Sequence, residues 1–152
     1  MEKDLRKLIE EYLAESKLMQ LATSKNNQPW VCNVYFAFDE SLNLYWISRP
    51  NRRHSGELRE NEKVAGTIVH SPDPKNPGRG IQFQGIAKEI TDKEEMRVAM
   101  KFYAERYGMS PERVEALISG ADGHLPYKIT PTKYVLFDEL NFPDNPYQEY
   151  KL

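Results

Sequence analysis

The sequence predicts a small domain of mainly β or α+β class, with six strands in antiparallel order curled into a barrel, one helix ahead of them and a helical excursion late in the chain. Three observations carry this. Six short runs rich in aromatic and β-branched residues alternate apolar with polar, which puts successive side chains on opposite faces of a sheet. Polar turn residues join the early runs directly. Extended helical spacing is confined to the start of the chain and to residues 91–120.

Composition bounds the function. The 152 residues make one domain, 1–152, with a barrel core over 18–138 and a tail over 141–152. A net charge of -2, from 21 basic and 23 acidic residues, gives no global field to recruit nucleic acid or an anionic membrane. Cys32 is the single cysteine, which excludes an intrachain disulfide and a thiolate zinc site. The charged opening MEKDLRKLIEEYLAESK lacks the apolar stretch of a secretory signal, and no segment approaches the ~20 apolar residues of a membrane span. The expectation is a cytoplasmic protein.

Residues 2–15 place Leu5, Leu8, Ile9, Tyr12 and Leu13 at helical spacing, predicting an amphipathic helix over one end of the sheet. Leu18–Ser24 is a first strand and KNNQP reverses it. Trp30–Phe38 follows, and Asp39–Asn43 turns it into a third strand that stops at Pro50, so three strands are expected to run as a meander. Ser55–Asn61 reads as a short helix and Lys63–His70 as a fourth strand with Gly66 at a bend. SPDPKNPGRG is a long exposed loop, and Ile81–Ile90 a fifth strand kinked at Gly85. Thr91 and Glu94 have the form of a capping box for a helix carrying Met96, Ala99, Met100, Tyr103 and Tyr107 to a stop at Gly108. Ser110-Pro111 opens a second helix, Glu112–Ile118, ending at Gly120. Tyr127–Leu140 holds the last strand, entered through Pro131. The tail has three aromatics and two prolines, which excludes a regular element and leaves apolar surface to lie on this subunit or a partner.

Chemistry concentrates in Leu42–Asn61. Arg49, Arg52, Arg53 and His54 follow a strand within six positions, beside a helix start whose free N–H groups carry partial positive charge. That geometry suits a phosphate, although a solvated basic turn accounts for the same spacing. Trp30, Tyr35, Tyr45 and Trp46 would wall a flat ligand or fill the barrel core, and core is the commoner fate of such residues. Cys32 reads as an inert small hydrophobe. His54, His70 and His124 are too scattered for a metal site, and no G-x-S-x-G nucleophile turn exists.

The order of elements, together with LATSKNNQPWVCNVYFAFDE, LYWIS followed by NRRHSGELRENEKVAGTIV, RGIQFQGIAKEI and YKITPTKYVLFD, resembles the pyridoxamine 5'-phosphate oxidase-like split-barrel family over Leu18–Asp138. The small uncharacterised members are nearer than the oxidase itself. The family motif is a hydroxyl at a strand end, a basic pair, then an apolar residue on the next helix, matched here by Ser48, Arg53 with His54, and Leu58.

The resemblance implies a six-stranded split barrel that binds FMN as a homodimer, with the flavin between subunits. Ser48 would donate its hydroxyl to the phosphate, Arg53 and His54 would form the basic pair, and Arg52 would assist. Ile47 belongs to the same cofactor set. Backbone groups of Asn33 and Val34 would meet the polar edge of the ring, and Gln82 would approach from the partner. Haem is the second candidate cofactor. His54 stands where the family usually has lysine, and as an imidazolium it would make FMN retention weaken from pH about 6 to 8. Val31 and Phe36 replace basic residues of the oxidase, and FPDNPYQEYKL has no counterpart of its substrate-gripping arginine and histidine. The expected function is an FMN-dependent oxidoreductase of a small molecule, using NAD(P)H or another small donor, in place of pyridoxamine phosphate oxidation. A non-catalytic flavin- or haem-binding stress-related dimer is the alternative. No acid or base residue is identifiable from the sequence.

Overall fold

The computed structural model describes residues 3–152. Helix α1 (Leu5–Glu15) starts at Asp4, whose carboxylate accepts from the Lys7 N–H, and buries Ile9, Tyr12 and Leu13. Glu2, part of the helix read from the sequence, lies outside the described residues. Strand β1 (Leu18–Lys25) returns as β2 (Gln28–Tyr35) through Asn26 and Asn27, both at positive φ, the two-residue turn that matches strand twist.

The expected three-strand meander does not form. The chain bends at Phe36 and continues as β3 (Ala37–Phe38), which pairs with β4 (Leu44–Ser48) and not with β1. After α2 (Arg53–Glu60) come β5 (Lys63–Ser71) and β6 (Arg79–Glu89). Helices α3 (Lys93–Tyr107) and α4 (Pro111–Ser119) then lead into β7 (Leu125–Asp138) and β8 (Tyr147–Lys151). The antiparallel sheet has the order β2-β1-β5-β6-β7-β4-β3, with β8 also on β7. Its two ends are consecutive in the chain, so Phe36 joins them and the sheet curls into a split barrel. The Phe36 ring is fully buried, and its backbone N–H donates to the Lys17 carbonyl at 3.1 Å, which turns the strand inward.

The sheet has eight strands where six were expected, the additions being β3 and β8. Exclusion of a regular element from the tail is thus corrected. Pro143 and Pro146 both precede β8, so neither interrupts its pairing with Lys133–Phe137. The tail lies on its own subunit.

Side chains of Leu13, Met19, Leu21, Phe36, Trp46, Ile81 and Tyr134 fill the barrel. Outside it, α3 and α4 cover β3 and β4 through Met96, Ala99, Met100 and Leu117, packed on Tyr45 and Ala37. The cap of α3 is Asp92, which accepts from Glu95 N–H at 3.0 Å; the carboxylate one residue on takes the place expected of Thr91. Gly108 and Gly120 stop these helices in the left-handed region. Gly66 marks close packing and not a bend, because a Cβ there would collide with the Phe83 ring and the Gln20 carbonyl. Gly85 lies at a bulge opposite Pro131. Among the described residues, no helix is long and apolar enough to cross a membrane.

Asp138, fully buried, ties α1 to β7. It accepts from the Tyr12 hydroxyl at 2.5 Å and from Asn141 Nδ2 at 2.7 Å. Burial opposes its ionisation, but those donors outweigh it and hold the carboxyl below its ordinary value. Its contribution to stability is therefore present above pH about 4 and lost as pH falls through the folded pKa. Tyr12→Phe should cost about 1–3 kcal/mol at neutral pH and shrink that acid-side loss, as read by urea denaturation across pH. Gly85→Ala should cost about 1–3 kcal/mol in the same assay, because its Cβ would stand 2.5 Å from the Thr130 carbonyl and 2.8 Å from Pro131 Cα, neither free to move aside.

Candidate functional site

Ser48 is the last residue of β4, and a turn in which Arg52 N–H donates to the Arg49 carbonyl delivers the chain into α2. The Ser55 hydroxyl donates to the same carbonyl at 3.0 Å and fixes the turn. The first helical bond of α2 runs from Gly56 N–H to Arg52, so the N–H groups of Arg53, His54 and Ser55 find no acceptor among the described residues. The other three helices are capped by Asp4, Asp92 and Ser110, while α2 begins at Arg52 without a side-chain cap. An anion is the natural complement of this terminus.

The structure brings Ser48, Arg52, Arg53 and His54 together around it. Arg53 lies over the Trp30 ring, 4.0 Å from its centroid, and its Nε is 3.3 Å from Glu57 Oε1. Buried Glu57 is itself held by the Thr23 hydroxyl at 2.8 Å. Arg53 is thus clamped on one face and one edge, with its terminal nitrogens unpaired among the described residues. Alongside runs a cleft of about 750 Å³ lined by Lys25, Gln28, Arg52, Arg53, Glu57 and Glu60. Lys25 pairs with Glu60 at 2.6 Å and nearby Arg59 with Glu89 at 2.9 Å, whereas Arg52 has no carboxylate partner among the described residues.

His54 differs from the cationic phosphate partner expected of it. It is buried and lies 2.7 Å from the Ser48 hydroxyl through Nε2. Burial, and then the Arg52 charge, push its pKa below the ordinary value, with Glu57 opposing. The helix partner Leu58 is in the barrel core.

The ring-facing candidates lie elsewhere. Asn33 and Val34 are on edge strand β2, whose outer side has no strand neighbour among the described residues. The Asn33 side chain accepts from Gln20 at 2.9 Å, and Val34 leans on the core. Ile47 faces α3 and α4, away from Ser48. Gln82 stands exposed on the outer face of β6, in a groove of about 350 Å³ with Ala22, Thr67, Val135 and Tyr147. Of the four aromatics, Trp46 is core, stacked on Tyr127, and Tyr45 is buried under α3; Trp30 and Tyr35 are exposed by 41% and 60%. Cys32 is half-buried and burial raises its thiol pKa. His70 stacks on Tyr12, while His124 pairs with Asp122 beside the turn, between Gly123, which lies against Arg49, and Leu125, which pairs with Ser48. Among the described residues no three His, Cys, Asp or Glu side chains gather as a metal site. Sequence reasoning missed Glu57 and Thr23. The i,i+4 spacing of Arg53 and Glu57 was the available signal for the first, while the second is visible only once β1 packs on α2.

Comparison with known proteins follows the fold. A family model described as pyridoxamine 5'-phosphate oxidase matches residues 5–134. A UPF0306 protein of Pasteurella multocida is 32% identical over 100 residues, covering 64% of this chain and 67% of its own. A conserved hypothetical protein from Mycobacterium tuberculosis superposes with a TM-score of 0.76 at 16% identity, covering 94% of this chain and 89% of that one. The heme storage protein HutZ from Vibrio cholerae gives a TM-score of 0.68 at 20% identity, covering 85% and 91%. At these identities the structural likeness is one of fold.

His54 should titrate below pH 6.5 in the ligand-free protein, and Arg52→Ala should raise its midpoint by removing a neighbouring cation. Imidazole proton shifts followed by NMR across pH check both; an unchanged midpoint in the variant would place Arg52 away from His54.

Proposed function

Because the chain belongs to the pyridoxamine 5'-phosphate oxidase-like split-barrel family, we propose that it is an FMN-binding homodimer acting as a small cytoplasmic oxidoreductase. One observation carries the cofactor: the uncapped start of α2, with three free N–H groups, opens onto Ser48, Arg52 and a clamped Arg53. This donor set fits a phosphomonoester. Arg53 supplies charge-assisted hydrogen bonds, Arg52 adds charge at the cleft mouth, and Ser48 donates from the strand end.

When bound, FMN would supply the hydride or electron transfer, and the chain's part is to hold and orient it. Asn33 and Val34 on the open edge of β2 are proposed to meet the polar side of the ring through backbone groups, with Ile47 contributing backbone alone. Gln82 is proposed to reach the ring of the opposite subunit. The outer face around it, with Gln20, Ala22, Thr67 and Gln84, carries small and polar side chains that suit packing against a second copy, and Val31 and Tyr35 add exposed apolar area beside it.

Flavin is favoured over haem by His54, whose Nε2 is engaged by the Ser48 hydroxyl and so is not free to ligate an iron. Pyridoxamine phosphate oxidation is not proposed. Phe36, at one of the oxidase's basic positions, is sealed in the core, and Val31 offers no charge. Whether the dimer turns over a small substrate or only holds its cofactor is decided by NAD(P)H consumption.

The purified protein should show flavin absorption bands, and sedimentation at micromolar concentration should give a dimer. Arg53→Ala should weaken FMN by about 1.5–3 kcal/mol while leaving riboflavin, which has no phosphate, nearly unchanged. Equal losses for the two ligands in titration calorimetry would put the phosphate elsewhere.

A further inference from the structure

Ser48 and His54 share a hydrogen bond whose direction decides what the cradle offers an anion. The Ser48 Oγ lies 2.7 Å from His54 Nε2, and the residues are only 8% and 9% exposed. A neutral imidazole has one N–H and one lone pair. With its proton on Nδ1, His54 accepts the serine hydroxyl proton, and Ser48 turns only lone pairs toward the start of α2. With the proton on Nε2, His54 donates to Oγ, and the hydroxyl proton is free to point at an anion.

The surroundings of His54 leave this choice to the ligand. Arg52 precedes it and Glu57 lies one turn on, with the Glu57 oxygens held by Thr23 of β1 and by Arg53. From β4 it meets the uncharged Ser48. Arg52 and Arg53 can face the cleft directly, whereas the bonded nitrogen of His54 is spent on the serine.

We propose that His54 is a positioning residue that acts on a phosphomonoester through Ser48: an anion in the cradle selects the Nε2-protonated imidazole, which donates to Ser48 and frees the serine hydroxyl to donate to the phosphate. This rests on the phosphate reading of the cradle and replaces the direct cation contact that the sequence suggests for His54. The imidazole keeps one proton throughout, exchanged with solvent between its nitrogens. Because Nε2–H donates in this tautomer and in the imidazolium alike, affinity does not require His54 to be charged. The fall expected from pH about 6 to 8 should be absent, apart from ionisation of the phosphate itself.

Nitrogen-15 NMR of imidazole-labelled wild-type protein, free and with FMN or inorganic phosphate, reads the tautomer directly. Either ligand should drive His54 to the Nε2–H form. A double-mutant cycle then measures the coupling: Ser48→Ala and His54→Phe should each weaken FMN relative to riboflavin about tenfold or more, and the double variant no further than either alone. Additive losses would mean that His54 touches the phosphate itself and would overturn the relay, as would a tautomer that neither ligand moves. A wild type that ignores FMN while inorganic phosphate shifts His54 removes the flavin and keeps the relay. Thermal melts confirm that each variant folds, and the NMR measurement needs no variant.

Discussion

Pairing along the single strand β7 is the constraint on which the rest depends. One of its edges is paired with β6 along most of its length; the other is divided, with β4 on Leu125–Ile129 and β8 on Lys133–Phe137. Pro131 stands in the gap, a residue with no N–H to leave unpaired. Across β7, the register with β6 shifts at Gly85, where a side chain would strike the backbone of Thr130 and Pro131. The bulge and the division of the edge therefore coincide, and the sheet splits there. Ser48 falls opposite Leu125 at the first residue of β7, so the split also fixes where the strand end meets α2.

Closure at the other end depends on long-range contacts. Arg106 of α3 donates to the carbonyls of Leu13 and Ser16, where α1 ends, and stacks over Phe36 and Phe38 at 5.0 and 5.5 Å. The Tyr107 hydroxyl donates to the Phe36 carbonyl at 2.5 Å. The late excursion thus clamps the early crossover, and the barrel closes only when residues some seventy positions apart meet. Such closure carries a loop entropy that local strands do not. The Nε atoms of Arg106 and Arg79 and the Trp46 indole nitrogen are buried without partners among the described residues, a cost the packed aromatic core has to offset.

Local signals made the elements legible. The Asn26-Asn27 turn, the Ser110-Pro111 start, and Gly108 and Gly120 as stops all act within a few residues, and the structure uses each. The crossover at Phe36 has no such signal, because Trp30–Phe38 reads as one continuous strand and only Lys17 and Arg106 reveal that it serves two neighbours. Strand β8 was hidden differently: its five residues alternate as a strand should, but prolines just before it and the want of a visible partner argued against it. In the site, the basic cluster was legible by spacing. The clamp on Arg53 was not, since Trp30 and Thr23 come from other strands, and neither was the burial of His54, which depends on how α2 seats against β4.

The balance of charge in the cleft decides what kind of anion it suits. Lys25 and Arg59 each already have a carboxylate, and Arg53 shares one edge with Glu57, so the uncompensated attraction comes from Arg52, the outer face of Arg53 and the α2 terminus. Exposed ion pairs such as Lys25–Glu60 contribute little to stability, but each keeps a cation from adding to the local field. A long polyanion would have to break them one by one; a single phosphate need not. On the proposed reading, discrimination then rests on donors fixed in place, three backbone N–H groups and a clamped guanidinium, joined by a serine hydroxyl that turns to the anion when the buried imidazole donates to it. Fixed donors recognise shape as well as charge, which suits a chain whose net charge of -2 gives no attraction at long range.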